Sequence, residues 1–167
     1  MNKKLAGVAL TFALLAGGSA PAFATEVSQE TVTQARTESV AGLDASQSEL
    51  DAIEKKLTVN HDQLSYEYRE LNDHIRNKEN KESAVTRETI RQLKIERKLL
   101  WEQQDSAESM IAMHQADVAA AESHLRLLEM KASENPNAQR IRQLEKQFQK
   151  AQAKAQRLHI NRPKPAS

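Results

Sequence analysis

Between Leu43 and Asn135 the chain contains neither glycine nor proline. Sheets and compact folds with short connections need those residues at their turns, so a stretch of this length without them predicts long helices. Apolar residues inside it recur every seven positions, the period of a helix face buried against a partner helix. Long helices build rods, hairpins and interaction surfaces, and they make poor enclosed active sites.

The repeat divides the run. Leu43, Leu50, Leu57, Leu64 and Leu71 are each seven apart, with Ile53, His61, Tyr68 and Ile75 at the intermediate positions. This predicts a coiled-coil seam. The seam lapses from Arg76 to Ala84, where no large apolar residue occurs and two asparagines do. It resumes out of phase. Leu93, Leu100, Ala107, His114, Ala121 and Leu128 form one row, and Ile90, Ile111, Val118, Leu125 and Ala132 the other. A stutter in one continuous rod produces such a phase change. So does the tip of an antiparallel hairpin, where asparagine accepts the turn conformation. The segments on either side are of similar length, about 50 residues, so two arms of ~75 Å would match, which favours the hairpin.

A second break lies at Ser133-Glu134-Asn135-Pro136-Asn137, where Asn135 and Pro136 suit the N-cap and first position of a further helix. Ile141, Leu144, Phe148, Ala151, Ala155 and Leu158 then repeat at alternating spacings of 3 and 4. The expected fold is all-α: a long antiparallel coiled-coil helical hairpin over 43–132 with its tip near 76–84, a loop at 133–137, and a shorter third basic C-terminal helix over 138–160. One continuous coiled-coil rod is the alternative. Residues 25–42, rich in Thr, Ser and Gln, read as a polar, partly disordered lead-in. Residues 161–167, with Pro163 and Pro165, read as a disordered tail.

Met1–Ala24 has the layout of a secretory signal peptide: Lys3 and Lys4, an apolar stretch from Leu5 to Ala16, then Ala22-Phe23-Ala24 as a cleavage signature. The expected location is therefore exported, in a periplasm or, alternatively, secreted. The chain has no cysteine, so it is not a disulfide scaffold and its stability must come from helix packing.

Charge is strongly segregated beneath a net +1. From Thr25 to Glu54 seven acids face one base, a net −6; from Glu102 to Glu134 seven acids face two bases, a net −5. From Ala138 onward eight Lys or Arg face Glu145 alone, a net +7. In a hairpin both acidic blocks lie at the base, where the basic helix begins, so complementary charge is expected to seat that helix along them. If its basic face stays free instead, Arg142, Lys146, Lys150, Lys154 and Arg157 form a row for partner contact. Protein partners through helical surfaces, self-association included, fit this row best. No nucleic-acid motif is present, and membrane-surface contact is disfavoured because the apolar face of that helix is half alanine.

Other sites are weaker. Met110, Met113, His114 and Asp117 share one helical side and are the only metal candidates, of a soft Cu(I) kind. Packing is the ordinary use of such methionines, and a histidine in a seam commonly fixes register, so no metal or other cofactor is expected. Protonation of His61 and His114 within the seam would loosen the packing at acidic pH. Catalysis has no support, since the chain lacks a nucleophile elbow, an H-E-x-x-H pair, a glycine-rich phosphate loop and a cysteine. In outline the chain is similar to exported helical chaperones of the Skp type. It lacks their N-terminal strand segment, and in place of the L-T-x-x-Q repeats of the Spy and CpxP group it has Leu57-Thr58-Val59-Asn60-His61. The expected role is a non-catalytic envelope scaffold or protein-binding adaptor. A holdase chaperone and a copper-type metal-responsive protein are the alternatives.

Overall fold

The computed structural model describes residues 28–161. The expected signal segment 1–24, the first residues of the lead-in and the tail from 162 onward lie outside the described residues. The described residues are all-helical, with α1 over Gln29–Arg76, α2 over Asn80–Ala132 and α3 over Ala138–Ile160. Helix α1 packs against α2 and α2 against α3, while α1 and α3 do not pack against each other.

Helix α1 begins well before the leucine repeat, so the lead-in expected over residues 25–42 is helical from Gln29. Ser28 caps it, its Oγ accepting from the Thr31 N–H at 3.2 Å. The Thr and Ser residues that argued against helix are reconciled with it locally. The hydroxyls of Thr33, Thr37 and Ser39 donate to carbonyls four residues earlier, at 2.8–3.0 Å. Packing then outweighs their weak propensity. Val32 is 1% exposed, and Arg36 reaches Glu122 of α2 at 2.9 Å.

Contacts between α1 and α2 run in opposite order along the two helices. Arg36 meets Glu122, Gly42 lies under the ring of His114, and Asn60 donates from Nδ2 to the Leu93 carbonyl at 3.0 Å and to Glu96 at 3.1 Å. The approach at Gly42 is close. A Cβ there would stand 2.5 Å from Cε1 of His114, so glycine is what admits that ring.

One row of the expected seam is displaced. Leu50, Leu57 and Leu71 are half-buried and Leu64 and Ile53 buried, as the heptads require. After Ile53, however, the intermediate row continues through Asn60, Glu67 and His74, not through His61, Tyr68 and Ile75. Asn60 is 2% exposed, whereas Tyr68 is 42% and Ile75 50% exposed. A strict seven-residue spacing keeps one stripe against α2, and shifting by one residue to reach a more apolar side chain would rotate the row by about 100°. The seam therefore carries polar residues: Ser46, Asn60, Ser83 and Thr86 are all buried. Thr86 satisfies its hydroxyl on the Glu82 carbonyl, while the Oδ1 of Asn60 is buried without a hydrogen-bond partner. On α2 the two expected rows face α1, with Ile90, Leu100, Ala107 and Ala121 buried; Ala132, at the helix end, is exposed.

The break in the long run is confined to Asn77–Glu79, shorter than the expected tip. Its hydrogen bonds define a Schellman ending: the Glu79 N–H donates to the His74 carbonyl at 2.9 Å and the Lys78 N–H to that of Ile75 at 3.2 Å. Lys78 takes the left-handed conformation, with φ of 58°, where glycine is usual. The apolar clasp that often accompanies this motif is replaced by an ionic one, His74 Nδ1 to Glu79 Oε2 at 2.6 Å. That bond raises the pKa of His74. Its stabilisation is thus complete below the ordinary histidine value of 6.5 and fades as pH rises through the elevated one. Glu79 offers no side-chain cap to α2, its carboxylate being committed to His74.

Helix α3 starts one residue pair later than the expected Asn135–Pro136 cap. Asn137 is the N-cap, its Oδ1 accepting from the Arg140 N–H at 3.0 Å, and Pro136 precedes it.

A left-handed lysine costs about 1 kcal/mol relative to glycine. Lys78→Gly is therefore expected to raise stability to urea by about 1 kcal/mol, and Lys78→Val to lower it. Equal midpoints for wild type and both variants would contradict this turn geometry.

Candidate interaction surface

The C-terminal half of α2 has to serve two neighbours. Val118, Ala121 and Leu125 continue the stripe toward α1, while Met113, Ala116, Ala120 and Leu127 are buried on a second stripe that the heptad reading does not include. Ala116 and Ala120 form a cluster with Ala155 of α3, and Ala151 and Leu158 pack against it. Small side chains here let the helix backbones approach closely, so the contact is made without bulky residues. Ile141, Leu144, Phe148, Ala151, Ala155 and Leu158, the expected apolar row of α3, are all buried or half-buried.

Three pairs flank this alanine contact. Asp117 accepts from His159 Nε2 at 3.0 Å, the ring of His124 stacks on Phe148 with centroids 4.4 Å apart, and Lys131 reaches Glu145 at 2.9 Å. The residue numbers again run in opposite order on the two helices. The expectation that complementary charge seats α3 on both acidic blocks is corrected in two ways. The acidic block of α1 does not pack against α3, no Cα of α1 coming within 8 Å of one in α3. In the Lys131–Glu145 pair it is α2 that supplies the base and α3 its only acid. Exposed ion pairs of this kind contribute little, so apolar and alanine packing has to hold α3 in place.

The consequence for the basic row is direct. Arg142, Lys146, Lys150, Lys154 and Arg157 are all exposed. None makes an ion pair with the described residues, whose salt bridges involve other side chains. Helix α3 thus turns its apolar row to α2 and presents a cationic face about 23 Å long, counted from Arg142 to Arg157.

The four metal candidates are separated. Met113 is buried on the α3-facing stripe, Met110 is half-buried, the ring of His114 lies against Gly42 of α1, and Asp117 is engaged by His159 of α3. Among the described residues no group of three or more His, Cys, Asp or Glu side chains is placed to hold a metal ion. Of the two histidines expected in the seam, His61 is exposed and stands outside it. Surroundings do shift His74 and His124.

Burial between α2 and α3 lowers the pKa of His124, and Lys131 lowers it further. The unfolded chain then takes up the proton first, so stability present above 6.5 is lost as pH falls toward the depressed value. His74 acts with the opposite sign. Thermal unfolding in a His74→Gln background should therefore weaken between pH 7 and 5.5, and adding His124→Phe should flatten that slope. Equal slopes with and without His124→Phe would contradict the stacked, desolvated ring. Comparison with protein-family models, with curated proteins and with solved structures finds no match, so the surface stands on its own geometry.

Proposed function

We propose that the chain is an exported, non-catalytic antiparallel coiled-coil hairpin that serves as an envelope scaffold or protein-binding adaptor, with the outward face of α3 as its docking surface. The coiled-coil reading is supported by the alternating spacing of 3 and 4 among buried and half-buried positions such as Leu50, Ile53, Leu57, Asn60 and Leu64, and by contacts that run in opposite order on α1 and α2. The observation that carries the docking face is its division of labour. Alanine packing fixes the helix on one side, while five cations on the other have no ion-pair partner among the described residues. A protein surface that is acidic along one helix complements such a row, and steering between opposite charges speeds the encounter.

The holdase alternative draws on a different observation. Val59, Tyr66, Val85, Leu99 and Trp101 are each more than half exposed, which offers apolar surface to unfolded clients without any splaying of the helices.

Site-specific photo-crosslinking from Gln147, which lies exposed beside the row, separates the two. An adaptor gives one discrete adduct in the native envelope, lost when Lys146, Lys150 and Lys154 are changed to Glu. A ladder of many adducts, insensitive to those changes, would overturn the adaptor reading in favour of the holdase.

A further inference from the structure

Far from α3, a groove of roughly 530 Å³ lies between α1 and α2, within the size range of small-molecule sites. Its floor and walls are apolar: Leu71 and Ile90 lie between the helices, and Tyr68 and Ile95 stand at the edges. Its rim is cationic. Arg87, Arg91, Lys94 and Lys98 all line it, spaced 4, 3 and 4 along one flank of α2 over ~16 Å.

These cations are weakly engaged within the chain. Glu88 approaches Arg91 at 3.7 Å and Glu102 approaches Lys98 at 3.8 Å, both contacts within one helix and between exposed side chains. Lys94 lies over the face of Tyr68 at 5.5 Å, an attraction that leaves its charge uncompensated. Arg87 makes no ion pair among the described residues. Its setting also matters: eight of the nine large apolar side chains exposed among the described residues fall between Val59 and Trp101. The shifted seam accounts for part of this, because Tyr68 and Ile75 are displaced outward by Asn60, Glu67 and His74.

The geometry points to this groove as a binding site for a monomeric single-chain anionic amphiphile, its apolar chain along Leu71, Ile90 and Ile95 and its acidic head among Arg87, Arg91, Lys94 and Lys98. An open apolar groove flanked by a row of cations complements both ends of such a molecule. A flat bilayer surface would meet the cations and leave the floor unfilled, and a free inorganic anion would leave it unused. This site is separate from the α3 row and does not depend on the adaptor reading.

Calorimetric titration of the full chain with dodecyl phosphate below its micelle concentration tests the assignment. Dodecyl maltoside, inorganic phosphate and anionic phospholipid vesicles serve as comparison arms. The expected result is saturable binding at one site, weakened tenfold or more by the pair Arg91→Glu and Lys94→Glu and also by Ile95→Asp. All three residues are exposed, so the helices should survive, which circular dichroism checks. Lys146→Glu with Lys150→Glu on α3 should leave the binding unchanged. Equal affinity for the maltoside, binding of inorganic phosphate as tight as that of the amphiphile, binding to vesicles alone, or no binding would each overturn the proposal. So would binding that is insensitive to the groove substitutions.

Discussion

Because α1 and α3 do not pack against each other, α2 must bury two separate stripes, and the placement of α3 and of its cationic face depends on how it does so. One stripe takes the heptad rows that meet α1. The other, built largely from Ala116 and Ala120, receives α3. The alanines from Ala116 to Ala121 serve close approach, Ala116 and Ala120 meeting Ala155 of α3. The cations of α3 face outward because its apolar row is the side seated on α2. An arrangement in which all three helices met pairwise would have placed part of that row against the acids of α1.

The α1–α2 interface shows a second principle, that register outranks local hydrophobicity. The stripe holds its seven-residue spacing through Ser46, Asn60, Glu67 and His74 even where a more apolar neighbour stands next in sequence. Asn60 donates to the Leu93 carbonyl and to Glu96, contacts available in only one alignment of the helices, and leaves its own Oδ1 buried without a partner. A buried polar group satisfied in one register lowers stability while rejecting the alternatives. The same choice leaves Tyr68 and Ile75 on the surface and so opens the apolar wall of the groove beside Ile90. The close passage of Gly42 beneath His114 is a second local feature that a slipped pairing would not preserve.

How much of this is legible in the sequence follows from which signals are periodic. The all-helical character and the leucine rows are legible because Leu50, Leu57 and Leu64 repeat over many turns without a breaker. The one-residue slip after Ile53 is not, because His61, Tyr68 and Ile75 are more attractive core residues than those that replace them, and only strict spacing argues otherwise. The early start of α1 hides behind Thr and Ser residues whose hydroxyls are satisfied inside the helix. The second stripe of α2 has a signal in the spacing of Met113, Ala116, Ala120 and Leu127, but alanine is too common in helices for that pattern to stand out. The basic row is visible from the spacing of the charges along the sequence. Whether it pairs within the chain depends on which face of α2 receives α3, a long-range fact that no local pattern encodes.

The central claim is that the glycine- and proline-free run folds back on itself with α1 along α2. The chain has no cysteine, so spin labels introduced at Gln47 and Glu108, both exposed, would be the only ones present. Pulsed dipolar spectroscopy on labelled protein diluted with unlabelled chain measures their separation directly. The account predicts a narrow distribution at about 20–30 Å, from an interaxial spacing of roughly 8–10 Å plus two label arms. A separation near ~90 Å, the length of 61 residues of uninterrupted helix, would contradict it.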